Sequence, residues 1–377
     1  MNIALLGFGN YGRQVYDILS EKKTEIFRNY DINIKYILVK NTSNRGINPE
    51  LLTDSYDKIV SDSDLDLVID MTGSDESFDY IKRALTSKKH VITSNAMVVA
   101  NHYVELQAIA IDMQVKFLFS ATIGSGLPIV NTLLKIHKYS NISKVEAILD
   151  GSINNILSSM SKDNMSFSQA KEKEELKLGY PIDFSALQQS YELAVLMMLS
   201  FDTIANADEI YRQKIENIPD DANLIASLLG YRIKYLASAK LHDMGLDASI
   251  EQVLVKTTDI IANTDYDYGV IKYYDRSYES EAMYGRTNGK FVVNGIISDI
   301  LIVLSDYRQK FMPKYAYMCF GIRHMQAKYL IKVKIMNDYF RGITEKNLDN
   351  YIITNTINGS ELIKHLSEIE FYARFLD

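Results

Sequence analysis

The glycine-rich segment near the N-terminus, Gly7–Gly12 (GFGNYG), has the residue types and the spacing needed to bind phosphate groups. It follows residues 1–6, a short apolar run that predicts a buried strand, and precedes residues 13–19, whose apolar side chains have helical spacing. In such a strand–G-x-G-x-x-G–helix unit, the first glycine permits a tight turn, the second lets the backbone approach a pyrophosphate, and the third lets the helix pack closely. The helix N-terminus then presents free N–H groups to the phosphates. The segment therefore predicts dinucleotide binding.

The residues after the second predicted strand bear on which dinucleotide would bind. A fold selective for NAD has Asp or Glu at the end of this strand, where it holds the ribose hydroxyls. Here residues 39–45 (VKNTSNR) contain no acid, and Lys40 and Arg45 are positively charged. Placed against a 2′-phosphate, these two side chains favour NADP; alternatively, both are solvated loop charges without a ligand. We expect NADP rather than NAD.

The apolar pattern predicts the elements that position this segment. Predicted strands cover residues 32–40, 66–73, 90–93 and 115–121, and predicted helices cover residues 77–87 and 98–114. Strands that alternate with helices indicate a parallel, doubly wound sheet. We therefore expect an α/β protein in which residues 1–130 form a Rossmann-type dinucleotide-binding domain.

Beyond about residue 142 the pattern changes and predicts α+β structure. Expected strands cover residues 144–149, 250–257 and 267–274, and expected helices cover residues 166–178, 184–201, 223–241 and 295–304. We expect residues 131–312 to form a substrate and dimerisation domain whose last helix returns to the first domain. Residues 313–377 are expected to form a C-terminal segment.

The composition limits the classes of function. The chain has 377 residues, of which 47% are hydrophobic, and this is enough for two or three domains with large cores. Its net charge of -7 disfavours a nucleic-acid partner, and no apolar run approaches the length of a membrane span. The six histidines lack the spacing of metal ligands, so we predict no metal site. The single cysteine, Cys319, and an N-terminus without a leader pattern predict a cytoplasmic location.

The order of several segments resembles the homoserine dehydrogenase family, whose members interconvert aspartate semialdehyde and homoserine with a nicotinamide cofactor. The similar segments are GFGNYG at 7–12, HVITSNAMVVA at 90–100, FSATIGSGLPIVNTL at 119–133, LDGSINNIL at 149–157, GYPIDFSALQQSYELAVL at 179–196 and MYGRTNGKFVVNGIISD at 283–299. The resemblance implies the family fold and a small-molecule substrate. It also implies a homodimer, in which the strands at 144–149 and 250–257 would extend a sheet across a two-fold axis.

The resemblance further implies where catalysis would occur. In the family, two lysines and an aspartate surround the reacting carbon, and their positions are occupied here by Ala96, Gln188 and Glu192. Hydride transfer to an aldehyde forms an alkoxide, which requires a proton donor and nearby positive charge, and Glu192 reverses that charge. Two hypotheses follow. The chain is an NAD(P)-dependent oxidoreductase with a shifted substrate, or it is a catalytically inactive member that keeps the fold for dinucleotide binding or assembly.

Carried over residue by residue, the resemblance gives two sets of binding residues. The family's substrate-facing Glu falls in a deletion here, and the remaining substrate-binding candidates are Asn154, Tyr180 and Asp183. The candidate cofactor-binding residues are Gly7, Phe8, Gly9, Asn10, Tyr11, Gly12, Lys40, Thr72, Gly73, Asn95 and Gly289.

The C-terminal residues resemble part of a regulatory ACT domain. Residues 329–335 are similar to its first strand, and residues 351–356 and 360–369 are similar to its last strand and helix. The segment between them is too short for the usual helix and two strands. We therefore predict a trimmed ACT-like segment that does not bind an amino-acid effector.

Overall fold

The computed structural model describes residues 1–20, 27, 29–42, 46–124, 127–136, 138–215, 217–277, 279–287, 289–305 and 311–376. In chain order the strands are β1 (Asn2–Leu6), β2 (Asn33–Leu38), β3 (Leu52–Thr53), β4 (Leu67–Asp70), β5 (His90–Thr93), β6 (Phe117–Leu118), β7 (Ile142–Ala147), β8 (Tyr211–Arg212), β9 (Tyr231–His242), β10 (Gly245–Lys256), β11 (Tyr268–Asp275), β12 (Ser280–Arg286), β13 (Gln326–Ala327), β14 (Tyr329–Val333), β15 (Thr344–Leu348), β16 (Tyr351–Thr354), β17 (Ile357–Asn358) and β18 (Ile369–Phe375). The α-helices are α1 (Asn10–Ser20), α2 (Tyr56–Val60), α3 (Ser77–Thr86), α4 (Ala96–Asp112), α5 (Ile129–Ile136), α6 (Gly151–Lys162), α7 (Phe167–Leu178), α8 (Leu187–Phe201), α9 (Ala222–Leu228), α10 (Gly289–Leu304), α11 (Asp338–Ile343) and α12 (Gly359–Lys364).

The first compact unit contains Met1–Lys138 and Asn288–Lys314. Its sheet has the order β3-β2-β1-β4-β5-β6, and every neighbouring pair of strands is parallel. This is the strand order of doubly wound dinucleotide-binding folds. The prediction of an α/β protein with a Rossmann-type sheet is confirmed.

The central strands of this sheet are apolar on both faces, as a parallel sheet covered by helices requires. On β1, Ile3 and Leu5 lie on one face and Ala4 and Leu6 on the other, and all four side chains are fully buried. Helix α10 belongs to the same unit and packs against α1 and β5. The last helix of the expected second domain therefore completes the core of the first unit.

A buried carboxyl group on α10 anchors that helix. Asp299 is inaccessible to solvent, and it accepts hydrogen bonds from Ser120 N at 2.8 Å and from Ser120 Oγ at 2.6 Å. Asn131 Nδ2 donates to the same Ser120 Oγ at 3.1 Å. Burial raises the pKa of Asp299 to about 7, although both bonds from Ser120 act to lower it.

The second unit contains Tyr139–Thr287 and Tyr315–Asp377 and is built on a separate mixed sheet. The strand order is β12-β11-β7-β9-β10-β18-β14-β16-β15, with β8 pairing with β10. Both strands predicted to extend a sheet across a two-fold axis, β7 and β10, have neighbours on each side. That part of the prediction is wrong, because an interior strand has no free edge to offer a second copy.

The predicted helix at residues 223–241 is also wrong beyond its first turns. Helix α9 ends at Leu228, and Gly230 follows with a φ of 82°. The chain then forms β9, which pairs with β10 from Tyr231 to His242 and with β7 on its other side. Pairing on both edges outweighs the helical preference of the residues in this strand.

The C-terminal residues form a complete β-α-β-β-α-β unit. Its elements are β14, α11, β15, β16, α12 and β18, in the spatial order β18-β14-β16-β15. The predicted last strand is the third strand, and Ile369–Phe375 is the fourth. The segment is short because each helix has only six residues, not because elements are missing. Strand β18 joins this unit to the larger sheet by pairing in parallel with β10.

Candidate cofactor-binding and substrate-binding sites

The turn between β1 and α1 contains the glycine segment, and each glycine has a different environment. Gly7 has a φ of 92°, which favours glycine, and its N–H donates to Leu38 O at 3.1 Å. A methyl group on Gly12 would lie 2.3 Å from the carbonyl oxygen of Gly7. A methyl group on Gly9 would contact no atom within 4 Å. The loop is therefore closed behind Gly7 and Gly12 and open in front of Gly9, which fits a backbone cradle for a pyrophosphate.

A pocket of about 440 Å³ opens on this loop. Among the predicted cofactor-binding residues, those that line it are Gly7, Phe8, Gly9, Lys40 and Thr72. Asn10 and Tyr11 are exposed and begin α1, so their backbone N–H groups lie in its first turn. Gly73 follows Thr72 in the segment after β4 and has a φ of 60°.

Two acidic residues that the sequence interpretation missed also line this pocket. Asp54 follows β3, and Glu76 precedes α3 and accepts a hydrogen bond from Tyr80 Oη at 3.2 Å. Strand β3 has only two residues, so its apolar signal is too short to predict the strand that carries Asp54 to the pocket. Arg45, predicted to act with Lys40, lies outside the described residues. The residues that the structure describes along this pocket therefore include both positively and negatively charged side chains.

A buried carboxylate organises the edge of the sheet beside the pocket. Asp70 Oδ1 accepts hydrogen bonds from Thr72 N at 3.1 Å, Thr72 Oγ1 at 2.7 Å and Ser77 Oγ at 3.2 Å. Its Oδ2 accepts from Thr93 Oγ1 at 2.8 Å. Burial raises the pKa of Asp70, whereas these bonds lower it. The result is a fixed connection between the segment after β4 and the end of β5.

The first helical turn after β5 contains two predicted site positions. Asn95 caps α4, because its side chain accepts a hydrogen bond from Val98 N at 3.2 Å, and its Nδ2 donates to Ser74 O at 3.2 Å. Ala96, where the family has a lysine, is only 1% exposed. Gly289 begins α10. Asn95 thus shapes the loop, and Ala96 contributes no charge to it.

In the second unit, Asp150 connects helix α6, which contains Asn154, with helix α8, which contains Gln188 and Glu192. It caps α6, with Oδ1 accepting from Ile153 N at 2.9 Å, and its Oδ2 accepts from Gln189 Nε2 of α8 at 2.6 Å. Burial raises the pKa of Asp150, and the negative charges of Asp183 and Glu174 raise it further. Asp150 was not predicted as a site residue, although it lies within the segment at 149–157 that resembles the family.

The amide of Asn154, a predicted substrate-binding residue, is used within the fold. Its Nδ2 donates to Tyr266 O at 3.0 Å and Tyr268 O at 3.1 Å, and its Oδ1 accepts from Lys234 Nζ at 3.4 Å. Both amide protons are therefore occupied, and a substrate would find only acceptor capacity on this side chain.

Gln188 and Glu192 lie one turn apart on α8 and share a face of that helix. The side chain of Gln188 is exposed and that of Glu192 is half-buried. Before the helix, Asp183 accepts hydrogen bonds from Ser185 N at 2.8 Å and Ser185 Oγ at 2.7 Å, while Tyr180 is 61% exposed. The structure thus brings Asp183 to the start of α8 and keeps Tyr180 accessible.

The predicted positions before and on α8 supply acids and no cation, although Lys234 Nζ contacts Asn154 on α6 at 3.4 Å and pairs with Asp265 at 3.0 Å. Glu192 and Asp183 are acids, and Asp150 is a carboxyl group whose pKa is raised by burial. Arg212 brings one cation to the flank of α8 by donating from Nη1 to Ser190 Oγ at 3.2 Å. These groups can exchange protons, but an alkoxide also requires a stabilising cation at the reacting oxygen.

Within the described ranges, there is no group of three or more His, Cys, Asp or Glu side chains able to hold a metal ion. None of the helices in those ranges is long and apolar enough to cross a membrane.

Comparison with known proteins identifies both parts of the chain. Residues 7–120 match the family model "Homoserine dehydrogenase, NAD binding domain", and residues 128–301 match the model "Homoserine dehydrogenase". Homoserine dehydrogenase from Bacillus subtilis is 25% identical over 320 residues, covering 82% of this chain and 74% of that protein. The Helicobacter pylori homoserine dehydrogenase is 27% identical over 311 residues, covering 80% of this chain and 73% of that protein.

Solved structures agree with these sequence matches. The Staphylococcus aureus homoserine dehydrogenase at pH 7.5 superimposes with a TM-score of 0.79 at 25% identity, covering 100% of this chain and 98% of that one. A homoserine dehydrogenase from Thiobacillus denitrificans, at 21% identity, shares the fold with a TM-score of 0.88, covering 100% and 98% of the two chains. Because both family models match in order and similarity to the solved structures extends over the whole chain, this protein belongs to the homoserine dehydrogenase family.

Proposed function

We propose that this chain binds NADP(H) in preference to NAD(H) and that its interconversion of L-homoserine and L-aspartate 4-semialdehyde proceeds close to background. The observation that carries this proposal is the contrast between the intact cradle at Gly9 and the positions Ala96, Gln188 and Glu192. The cradle uses backbone groups, which remain. The chemistry uses side-chain charges, which are replaced.

The cofactor, when bound, supplies the hydride. The protein contributes the cradle around Gly7–Gly12, the N-terminus of α1 for the pyrophosphate, and the Asp70 network, which orients Thr72 beside the pocket. Lys40 adds a positive charge at the end of β2, where a 2′-phosphate would be recognised. This charge supports the preference for NADP(H).

Turnover is the step that should fail. An aldehyde that accepts hydride becomes an alkoxide, and general acid help is typically worth about a hundred- to ten-thousand-fold in rate. Electrostatic stabilisation of the oxyanion adds a comparable factor. Ala96 offers neither, and ionised Glu192 would repel the developing charge.

The test measures binding and turnover separately on the same preparation. Titration calorimetry with NADPH and NADH is expected to give saturable binding, tighter for NADPH. A spectrophotometric assay with homoserine and either oxidised cofactor is expected to give a rate near that without protein. If neither NADPH nor NADH binds, the proposed dinucleotide binding is contradicted. A robust rate of homoserine oxidation would contradict the proposed near-background turnover.

A second candidate is an active oxidoreductase with a relocated proton donor, and Asp150 is the observation in its favour. Its pKa is raised by burial, and its Oδ2 contacts Gln189 on α8. If Asp150 donates the proton, Asp150→Asn should lower any measurable aldehyde reduction by about tenfold or more. Asp243→Asn, which makes the same charge change at an exposed turn, serves as the control.

We further propose that the chain is a cytoplasmic homodimer. The second unit would form the interface, as the resemblance implies, and the single buried cysteine is consistent with a reducing compartment. Light scattering at micromolar concentration is expected to give twice the mass of one chain. A monomer at that concentration would count against the dimer.

A further inference from the structure

The register of two parallel strands places opposite charges side by side at the nucleotide pocket. Leu38 of β2 pairs with Thr53 of β3, and Val39 N donates to Thr53 O at 2.9 Å. Lys40 and Asp54 therefore leave adjacent strands at the same edge of the sheet. Both side chains are exposed and line the pocket that contains Gly7 and Gly9.

The turn that carries Asp54 is held at both ends. Ser55 N donates to Thr53 Oγ1 at 3.2 Å, and Ser55 Oγ caps α2 by accepting from Lys58 N at 3.4 Å. Among the residues that the structure describes, neither Lys40 nor Asp54 forms an ion pair or a side-chain hydrogen bond. Both charges are therefore available to a ligand, and Asp54 is presented from a fixed backbone.

The position of these charges corresponds to one part of a dinucleotide. When the pyrophosphate lies on the glycine loop, the adenosine ribose lies beyond the end of β2, where an acid holds its hydroxyls or a cation accommodates a 2′-phosphate. Here the cation comes from β2 and the acid comes from β3. A phosphate monoester has a charge of about −1.5 to −2 at pH 7, so a neighbouring carboxylate repels it, whereas ribose hydroxyls can donate to that carboxylate.

We propose that Asp54 is a specificity-determining residue that opposes Lys40. Its carboxylate favours the free 2′- and 3′-hydroxyls of NADH and disfavours the 2′-phosphate of NADPH. The preference for NADPH over NADH that Lys40 provides is therefore small. This inference rests on the proposed dinucleotide binding. Asp54, which follows β3 and not β2, then limits the choice of cofactor.

The test compares dissociation constants for NADH and NADPH in the full chain and three variants. Asp54→Asn should tighten NADPH binding by about tenfold and leave NADH unchanged or weaker by a few-fold. Lys40→Gln should weaken NADPH by about tenfold with little effect on NADH. Asp112→Asn, an exposed acid at the end of α4 and outside the pocket, should change neither by more than about twofold. The effect of Asp54→Asn should shrink at high salt, because exposed charges are screened.

The outcomes separate this inference from the proposal beneath it. If the unaltered chain binds neither nucleotide, dinucleotide binding is contradicted and this inference falls with it. If both nucleotides bind and Asp54→Asn leaves the ratio of their dissociation constants unchanged, only the role of Asp54 is overturned. Thermal unfolding of each variant checks that the fold is retained, as expected for changes at exposed side chains.

Discussion

The glycine loop of the first unit and helix α8 of the second unit depend on their side chains in different ways. The loop recognises phosphate through backbone groups, and a methyl group on Gly12 would collide with Gly7. The fold itself therefore selects for those glycines, whether or not a cofactor binds. On α8, Gln188 is exposed and Glu192 is half-buried, whereas Leu193 and Leu196 are fully buried in the core. Substitutions at Gln188 and Glu192 would therefore alter the chemistry at little cost to folding, as the proposed function requires.

The largest expected effect comes from restoring the family's side chains. The triple variant Ala96→Lys, Gln188→Asp, Glu192→Lys should raise homoserine oxidation by about a hundred- to ten-thousand-fold over the unaltered chain. The control replaces Glu192→Lys with Glu172→Lys, which makes the same charge reversal on the exposed face of α7 and should give no gain. An equal gain in the control would mean that overall charge, not the restored positions, governs the rate.

The next effect concerns the stability of the first unit. The pKa of Asp299 is raised to about 7 by burial, above its value in an unfolded chain. The protonated form is favoured in the folded state, so the stability that Asp299 contributes is full at low pH and lost as pH rises through 7. Between pH 5 and pH 8 this loss is roughly 2–3 kcal/mol of unfolding free energy.

Denaturant unfolding at both pH values, with Asp299→Asn alongside, measures the contribution of Asp299. The variant should have a flatter dependence of unfolding free energy on pH across this range. If both proteins change in parallel, the pKa of Asp299 does not control this part of the profile.

A smaller effect separates the two roles of glycine within the loop. Gly9→Val places a side chain where no atom lies within contact, so the fold should tolerate it while NADPH affinity falls by about a hundredfold. Gly12→Ala should instead lower the unfolding free energy by about 1–3 kcal/mol, because the added methyl group overpacks the loop. The comparison fails if Gly9→Val unfolds the protein or if Gly12→Ala leaves its stability unchanged.

The sequence predicted the first unit better than the second for a physical reason. A strand–glycine loop–helix unit is local, and the types and spacing of residues 3–19 are sufficient to predict it. Residues 231–242 form a strand because β7 and β10 pair with both of their edges. The apolar pattern of these residues alone does not contain that information. The fourth strand of the C-terminal unit was also missed. The two helices that separate its strands have six residues each and give almost no periodic signal, so the strands could not be counted correctly.

The same distinction applies to the site. The glycines and Lys40 follow predictable strands, whereas Asp54 reaches the pocket from a two-residue strand and Asp150 contacts α8 through the tertiary fold. Neither can be found by spacing along the chain. Residues whose place in a site depends on strand register or helix packing can be identified only from the structure.

Cofactor binding without catalysis can be tested by one paired measurement. A single preparation is titrated with NADPH by calorimetry and then assayed for homoserine oxidation with NADP. We expect saturable binding of one NADPH per chain together with a rate of homoserine oxidation indistinguishable from that without protein. Binding accompanied by rapid turnover, or no binding at all, would contradict it.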